Sequence, residues 1–435
     1  MLRLASSTTN SQPRKPTTGP ITLTLQTLQS LAQEMINTIP FNIVPEHWLR
    51  LYTDVAILQA IQNIMDDSEP LREERDVSRL ESIRRLDMAI IVAGALGKGR
   101  KGWILELIKI IQARLSSKIQ NVTELEQHVS KRRKLSTSEF IQSLHYAPNP
   151  IKVLEEPPSV KDYLQNHATQ PFILRGFLKN NTTSPAWTAC DRWASAEYLL
   201  GIVGHGRVVP IEVGKAYDDA SWTQKIMPFK EFLNRAGFEI PDKTPVDPTQ
   251  LPSPPLYLAQ YGLFDQFPEL EKDICFPDYV WSNPPPTKDA PSYSPPQNND
   301  GLIVNVWVGS GNSEIISPAH TDPYYNCYAQ VLGQKRVWLA PPSCGPQMHV
   351  YGEVGENSDD TASQYMTNTS TVPIMKPIDD FTKLATRYPE FFQHAFSQGL
   401  EAILEPGDLM IMPPGWWHAM RGEGSGPAWS VSMWF

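Results

Sequence analysis

The sequence predicts an α+β protein: an N-terminal all-α helical domain, then a mostly antiparallel β domain with flanking helices. Three observations carry this. Apolar residues recur at helical spacing between residues 21 and 117. Beyond residue 151 that period gives way to short runs of period two. In 302–308, Leu302, Val304, Val306 and Val308 alternate with Ile303, Asn305 and Trp307. Forty prolines among 435 residues imply many turns and extended connections, too many for a purely helical chain.

Composition narrows the function classes. The length allows two or three domains. A net charge of −9 argues against a DNA-coating surface, so direct nucleic-acid binding is not expected. Cys190, Cys275, Cys327 and Cys344 fit no zinc spacing and suggest no disulfide framework, so a reducing compartment is expected. No apolar run approaches a membrane span, and residues 1–20 have no apolar signal core.

Taken in order, residues 1–20 are rich in Ser, Thr, Pro and Asn and read as a disordered tail. Residues 21–120 read as a helical domain. Trp48, Leu51, Leu58, Ile61 and Ile64 mark one helix; Leu80, Ile83, Leu86 and Ile90 mark the next. Trp103, Leu107, Ile110 and Ile111 mark another, after the break at Gly97-Lys98-Gly99. Such helices serve either as a docking surface for a protein partner or merely as packing. Residues 121–150 read as a linker holding Lys131-Arg132-Arg133-Lys134, which is either a nuclear import signal or a solvated charge run.

Residues 151–435 form the second domain, with the core barrel at about 257–435. Helices are expected at 159–167, 193–202 and 229–236, and a strand at 208–213. The Pro-rich stretches 242–255 and 283–300 read as exposed connections. Residues 328–332 and 335–339 read as a hairpin around Gly333-Gln334. Residues 345–398 read as a long insertion, helical from 381 to 396. Strands at 403, 409–412 and 430–434 complete the set, closing into a barrel mouth.

The chemistry lies in Ser317-Pro318-Ala319-His320-Thr321-Asp322-Pro323. On a strand, residues two apart share a face, so His320 and Asp322 present an imidazole and a carboxylate side by side. Glu405-Pro406-Gly407-Asp408, the apolar run 409–412 and Pro413-Pro414-Gly415-Trp416-Trp417 form a turn, a strand and a second turn that deliver His418. Two histidines and one carboxylate with open positions make the facial triad of non-heme Fe(II) oxygenases. An isolated His-x-Asp pair is more often an ordinary surface or hydrogen-bonded group. The flanking apolar strands, the distal histidine and Lys335 beyond the pair distinguish this one.

These segments resemble the JmjC family of Fe(II)- and 2-oxoglutarate-dependent oxygenases, and within it a member described both as a histone lysine demethylase and as an arginyl hydroxylase. The resemblance spans about 151–435. It includes Arg207-Val208-Val209-Pro210-Ile211-Glu212-Val213-Gly214, Tyr257-Leu258-Ala259-Gln260, Leu263-Phe264-Asp265-Gln266 and Trp429-Ser430-Val431-Ser432-Met433-Trp434. It implies a cupin-like double-stranded β-helix, Fe(II) on His320, Asp322 and His418, and 2-oxoglutarate and dioxygen as cosubstrates. Lys335 would pair with the far carboxylate of 2-oxoglutarate. Tyr257 and Ser317 match positions that donate to the same carboxylate. Asn326 matches a position near the metal-side carboxylate, and Trp434 an aromatic near the cosubstrate. Asn305 is a further polar candidate on the neighbouring strand. The alternative for each is structural: an exposed hairpin lysine, a turn serine, core aromatics.

The implied activity is hydroxylation of a protein side chain, arginine favoured. Demethylation of N-methyl-lysine or N-methyl-arginine by the same iron site is the alternative, and a cupin-like binding module without turnover is a reading of another class. The expected partner is a basic protein or peptide such as a histone tail, and the expected location is the nucleus, with the cytoplasm as a second site. Tyr324, Tyr325, Trp416 and Trp417 shape either a substrate groove or the core. Glu212, Asp218 and Asp219 are candidates for an acidic wall facing a cationic side chain.

Overall fold

A computed structural model describes residues 19–40, 43–65, 72–116, 147–179, 185–219, 221–240, 254–311, 314–352, 366–376, 381–424 and 426–435. The tail and basic linker expected from the sequence, including Lys131-Arg132-Arg133-Lys134, fall almost wholly outside these residues. The chain divides into two compact units, Met1–Ser116 and Ser117–Phe435. No helix among the described residues is long and apolar enough to cross a membrane.

The first unit holds α1 (Pro20–Thr38), α2 (Glu46–Met65), α3 (Arg72–Ala93) and α4 (Arg100–Ala113). Proline at the first position of α1 gives up an amide that would have no partner there. Gly99, at φ +76, caps α4 in the left-handed region. Val55, Ala56 and Ala60 of α2, Ile83, Leu86 and Ala89 of α3, and Ile104, Ile108 and Ile111 of α4 form its buried set. The phase of α4 differs from the sequence expectation. Trp103 is 56% exposed and Ile110 also faces out, because the buried stripe runs through 104, 108 and 111. Both phases share Ile111, so period alone cannot separate them.

The second unit is built on strands numbered here in chain order: β1 (Asn149–Pro150), β2 (Lys152–Leu154), β3 (Phe172–Leu174), β4 (Val208–Val213), β5 (Thr223–Pro228), β6 (Leu256–Tyr261), β7 (Ile303–Ser310), β8 (Ile316–Thr321), β9 (Asn326–Leu332), β10 (Gln334–Ala340), β11 (Leu400–Leu404), β12 (Leu409–Met412), β13 (Trp417–Glu423) and β14 (Pro427–Trp434). Among the described residues they form two sheets, β1-β11-β10-β13-β8 and β2-β3-β12-β9-β14-β7-β6-β4-β5. From β7 to β14 the chain changes sheet at every step except β10 to β11, which pair in the smaller sheet; this is the winding of a double-stranded β-helix. The larger sheet also takes in β2–β5, upstream of the core expected at 257–435, and these strands cover the edges of the pairing.

Ile173, Tyr328, Val337, Leu339, Met410 and Met420 pack between the sheets. Outside the larger sheet, Trp193, Leu199, Phe232 and Leu233 pack on Val306, Trp429 and Val431. Outside the smaller one, Met348, Phe391 and Ala395 pack on Ala319, Trp338 and Trp417. The insertion is therefore part of the core. Its residues 366–370 also lie beside β8, with Thr369 bridged to His320 and the Ser370 amide donating to Ala319.

The hairpin expected around Gly333-Gln334 does not form. β9 pairs with β12 and β14, whereas β10 pairs with β11 and β13. Gly333 is the crossing point between sheets. Its φ of +68 is left-handed, and a Cβ there would sit 2.8 Å from the Pro427 carbonyl oxygen. Two apolar strands joined by a glycine match a hairpin and a sheet change equally well; competition from β12 and β14 decides. Gly333→Ala is expected to destabilise by roughly 1–2 kcal/mol from the left-handed backbone alone. Calorimetry should show the melting temperature lowered on the order of 2–6 °C. An unchanged melting temperature would contradict the crossing as described.

Candidate functional site

β8 and β13 run antiparallel at the mouth of the smaller sheet, with His418 directly opposite His320 and Trp417 opposite Thr321. The register then shifts between His418 and Met420, a bulge that bends β13 just past the site. Asp322 follows the end of β8, and its carbonyl accepts a hydrogen bond from the Gly415 amide at 2.9 Å. Gly415 has φ +77, so the Pro413-Pro414-Gly415 turn folds back over Asp322 and sets where β13 begins.

One ligand atom each from His320, Asp322 and His418 lies within 4.8 Å of the others. The Asp322 carboxylate is 3.4 Å from Nε2 of His418 and 4.0 Å from Nε2 of His320. The two imidazole centroids are 4.2 Å apart. Nδ1 of His320 is 2.8 Å from the Pro318 carbonyl, and Nδ1 of His418 is 3.1 Å from the Trp416 carbonyl. Each ring therefore donates through Nδ1 to a backbone oxygen two residues earlier, and each turns Nε2 toward the shared centre. Burial and the neighbouring His418 pull the His320 imidazolium down to about 4, which keeps that ring neutral. Burial opposes charge on the other two, but each charges the other: His418 is held above, and the Asp322 carboxyl below, its ordinary value.

Beside this centre lies a cavity of about 400 Å³, lined by His320, Asp322, Ser317, Tyr257, Trp307 and Glu212 among others. A second, much smaller pocket shares Tyr257, Trp307, Ile315 and Ser317 with it and is also lined by Lys335. The Lys335 Nζ donates to Tyr257 Oη at 2.9 Å and Tyr328 Oη at 2.8 Å. Lys335 is 6% exposed, and no ion pair to it is present among the described residues. Burial pulls its ammonium down to about 7. The reading of an exposed hairpin lysine is thus excluded.

Asn305, Asn326 and Trp434 do not line the cavity. Asn326 pairs with Trp434, and Asn305 with Ser432. This alternation puts all three on the sheet face that carries Tyr328 and Trp307. Among the described residues Asn326 Oδ1 and Trp434 Nε1 are buried without a hydrogen-bond partner; the indole could donate to a ligand carboxylate, whereas Oδ1 would need a ligand donor. The donor set fits Fe(II), and the buried cation of Lys335 fits an anionic ligand.

The rim differs from expectation. Asp218 and Asp219 face Lys376, at 3.2 and 3.5 Å, so the acidic wall reduces to Glu212 at the cavity. Burial raises the Glu212 carboxyl above its ordinary value. Tyr325, Trp416 and Trp417 are buried core residues, while Tyr324 stacks on Trp434 at 5.8 Å. Sequence reasoning missed Tyr217, whose ring stands edge-on to His320 at 6.4 Å, and the cavity residues Asn368 and Thr369. It also missed Tyr328. The signal for Tyr328 was its spacing: it lies two residues after Asn326 on one strand and shares its face.

Comparison with known proteins agrees with this geometry. A cupin-like domain profile matches residues 161–435. The Drosophila melanogaster protein "Jumonji C domain-containing protein 5" is 30% identical over 64% of this chain and 58% of its own length. The Arabidopsis thaliana protein "Lysine-specific demethylase JMJ30" is 31% identical over 60% and 52%, respectively. The human "Bifunctional peptidase and (3S)-lysyl hydroxylase JMJD7" is 23% identical over 63% and 81%. The chain thus spans little more than half the length of the first two. It belongs to the cupin-like domain family, and its relatives include proteins named for the Jumonji C domain.

Proposed function

We propose that this chain is an Fe(II)- and 2-oxoglutarate-dependent dioxygenase that hydroxylates protein side chains, arginine foremost. The observation that carries this is a His-Asp-His donor set, two members of which line the cavity, next to a smaller pocket lined by a buried lysine that has no ion pair among the described residues. His320, Asp322 and His418 would hold the iron through two Nε2 atoms and a carboxylate. Lys335, Tyr257 and Ser317 would bind the far carboxylate of 2-oxoglutarate, with Asn326, Trp434 and Asn305 on the face beyond. When bound, iron and 2-oxoglutarate supply the oxidation of an unactivated C–H bond, coupled to release of succinate and carbon dioxide.

The chain's own contribution is placement and exclusion of water. The Nδ1 bonds to Pro318 and Trp416 fix both imidazoles. Packing of both sheets buries His418, while His320 and Asp322 stay partly exposed toward the cavity that a substrate would fill. Glu212 offers an acidic neighbour to a cationic side chain entering the cavity. A basic protein or peptide is therefore the substrate of this reading. The run Lys131-Arg132-Arg133-Lys134 supports a nuclear location with a cytoplasmic pool, and the helical unit serves as the docking face for a protein partner. The second reading, removal of an N-methyl group from lysine or arginine, is favoured by the name of the Arabidopsis relative.

Two measurements test this. Basic peptides, methylated and unmethylated, are incubated with Fe(II), 2-oxoglutarate and air beside an Asp322→Ala control, then weighed by mass spectrometry. One added oxygen on an arginine peptide is the expected result. Loss of a methyl group instead would establish the demethylase, and neither product nor succinate above the control would leave a binding module. The second concerns pH. An incoming carboxylate raises the Lys335 pKa from about 7, so 2-oxoglutarate binding should take up a proton above pH 7. Its affinity for Mn(II)-loaded protein should then fall as pH rises from 7 to 8.5, by up to about tenfold per unit. Below pH 7 Lys335 adds no further change. Calorimetry in two buffers of different ionisation enthalpy reads the proton, and Lys335→Met should weaken binding and abolish the slope. A slope identical in wild type and Lys335→Met would remove Lys335 from the anion site.

A further inference from the structure

Two walls of the cavity beside the donor set come from distant parts of the chain. One is the loop between β4 and β5, which supplies Ala216 and Tyr217, with Trp222 at its end. The other is the stretch 366–376 of the insertion, which supplies Met366, Asn368 and Thr369. This second wall lies along β8 as a short extra strand. The Thr321 amide donates to the Asn368 carbonyl at 3.1 Å, and the Asn368 side-chain amide donates back to the Thr321 carbonyl at 2.9 Å. The Ser370 amide donates to the Ala319 carbonyl at 2.8 Å, and Thr369 is bridged to His320 between them. The stretch thus covers the outer edge of the smaller sheet, where β8 is the last strand.

Where the two walls meet, the neutral contacts are long. Tyr217 Oη lies 3.5 Å from Thr369 Oγ1, and Tyr351 Oη donates to Asp218 at 3.4 Å. The charged contact is shorter: Lys376 Nζ lies 3.2 Å from Asp218 and 3.5 Å from Asp219. The Asp218 side chain is only 8% exposed, so its charge needs a partner. The backbone just before Lys376 is strained. Met375 has φ +70, in the left-handed region that a residue with a Cβ seldom adopts. Its side chain is fully buried, and its carbonyl accepts from Arg421 Nη1 at 3.1 Å. Such a conformation persists only where the surroundings impose it. Here it lets Met375 fill the core while the next residue, Lys376, meets the two aspartates.

We propose that Lys376, Asp218 and Asp219 form an ionic clasp that joins the two walls from behind and fixes the width of the cavity. None of the three lines the cavity, so they act on its contents only through Tyr217, Asn368 and Thr369. They are positioning residues. With the clasp closed, Asn368 and Thr369 are held against β8 beside His320. With it open, the stretch falls back on its strand pairing, and the β4–β5 loop on the bond from the Ile316 amide to the Lys215 carbonyl. The clasp thereby sets which side chains can settle beside the donor set. That consequence rests on the reaction proposed above; the clasp itself does not.

The test follows backbone hydrogen exchange of the full chain by mass spectrometry, in the segments 316–321 and 366–376 that hold the Thr321 and Ser370 amides. Lys376→Met should speed their exchange about tenfold, the scale of losing one partly buried ion pair. Asp219→Asn removes the longer of the two pairs and should give a smaller rise, and Lys376→Arg should restore the wild-type rate. Salt at about 1 M should speed exchange in the wild type and leave Lys376→Met where it is, since screening acts on the charge pair. Amides of β14, paired with β7, should not change in any variant. With the arginine peptide, Fe(II) and 2-oxoglutarate, Lys376→Met should raise KM severalfold and move kcat by less than about twofold. Exchange in Lys376→Met equal to wild type at both salt concentrations would overturn the clasp. Faster exchange with an unchanged KM would overturn its hold on the cavity. A wild type that forms no succinate with any peptide would sink the proposed reaction, and the exchange rates would still decide the clasp.

Discussion

Everything at the site depends on one piece of β pairing, that of β8 with β13. It sets His418 opposite His320 and brings together ligands that lie far apart in the chain. Side chains alternate along a strand, so a slip of one residue would turn either histidine to the opposite face. Three devices hold the register. The turn at Gly415 hydrogen-bonds Asp322, the bulge after His418 absorbs the mismatch beyond it, and the apolar layers on both sides accept only one phase.

Charge separates the site from the scaffold. Arg336, buried on the same strand as Lys335, is closed by Glu401 and Glu423, and Glu423 also takes Arg421. Asp408 is closed by Arg175 and by the amides of Gly176 and Glu405. These are buried charges matched within the protein, which hold strands together. Lys335 has hydroxyls where its neighbour Arg336 has carboxylates. A buried cation left with neutral partners costs free energy, and an anionic ligand would offset it. The contrast between adjacent residues of β10 supports the proposal of Lys335 as a binding group more than its burial does.

The fold class and the candidate ligands were legible because both rest on local pattern. Helical period, strand alternation and the His-x-Asp spacing survive in any reading of the chain. What was not legible depends on competition between segments. The expected hairpin at Gly333 is a change of sheet, since β12 and β14 outbid β10 for the edges of β9. The acidic pair Asp218 and Asp219 is taken up by Lys376, a residue of the insertion whose position no spacing rule foretells. Tyr328 was read only as the start of a strand; its hydroxyl meets the Lys335 ammonium only once β9 and β10 are placed.

The sequence by itself determined the division into helical and β segments, and it singled out three residues as candidates to hold a metal and one lysine as a candidate for an anion. Only the tertiary structure decided which strands pair, which acids stay open to the cavity, and which hydroxyls meet Lys335. The reason is physical. Residue type and local spacing set what a side chain can do, but hydrogen-bond direction and charge compensation depend on partners supplied by distant strands. Those partners exist only once the sheets have closed.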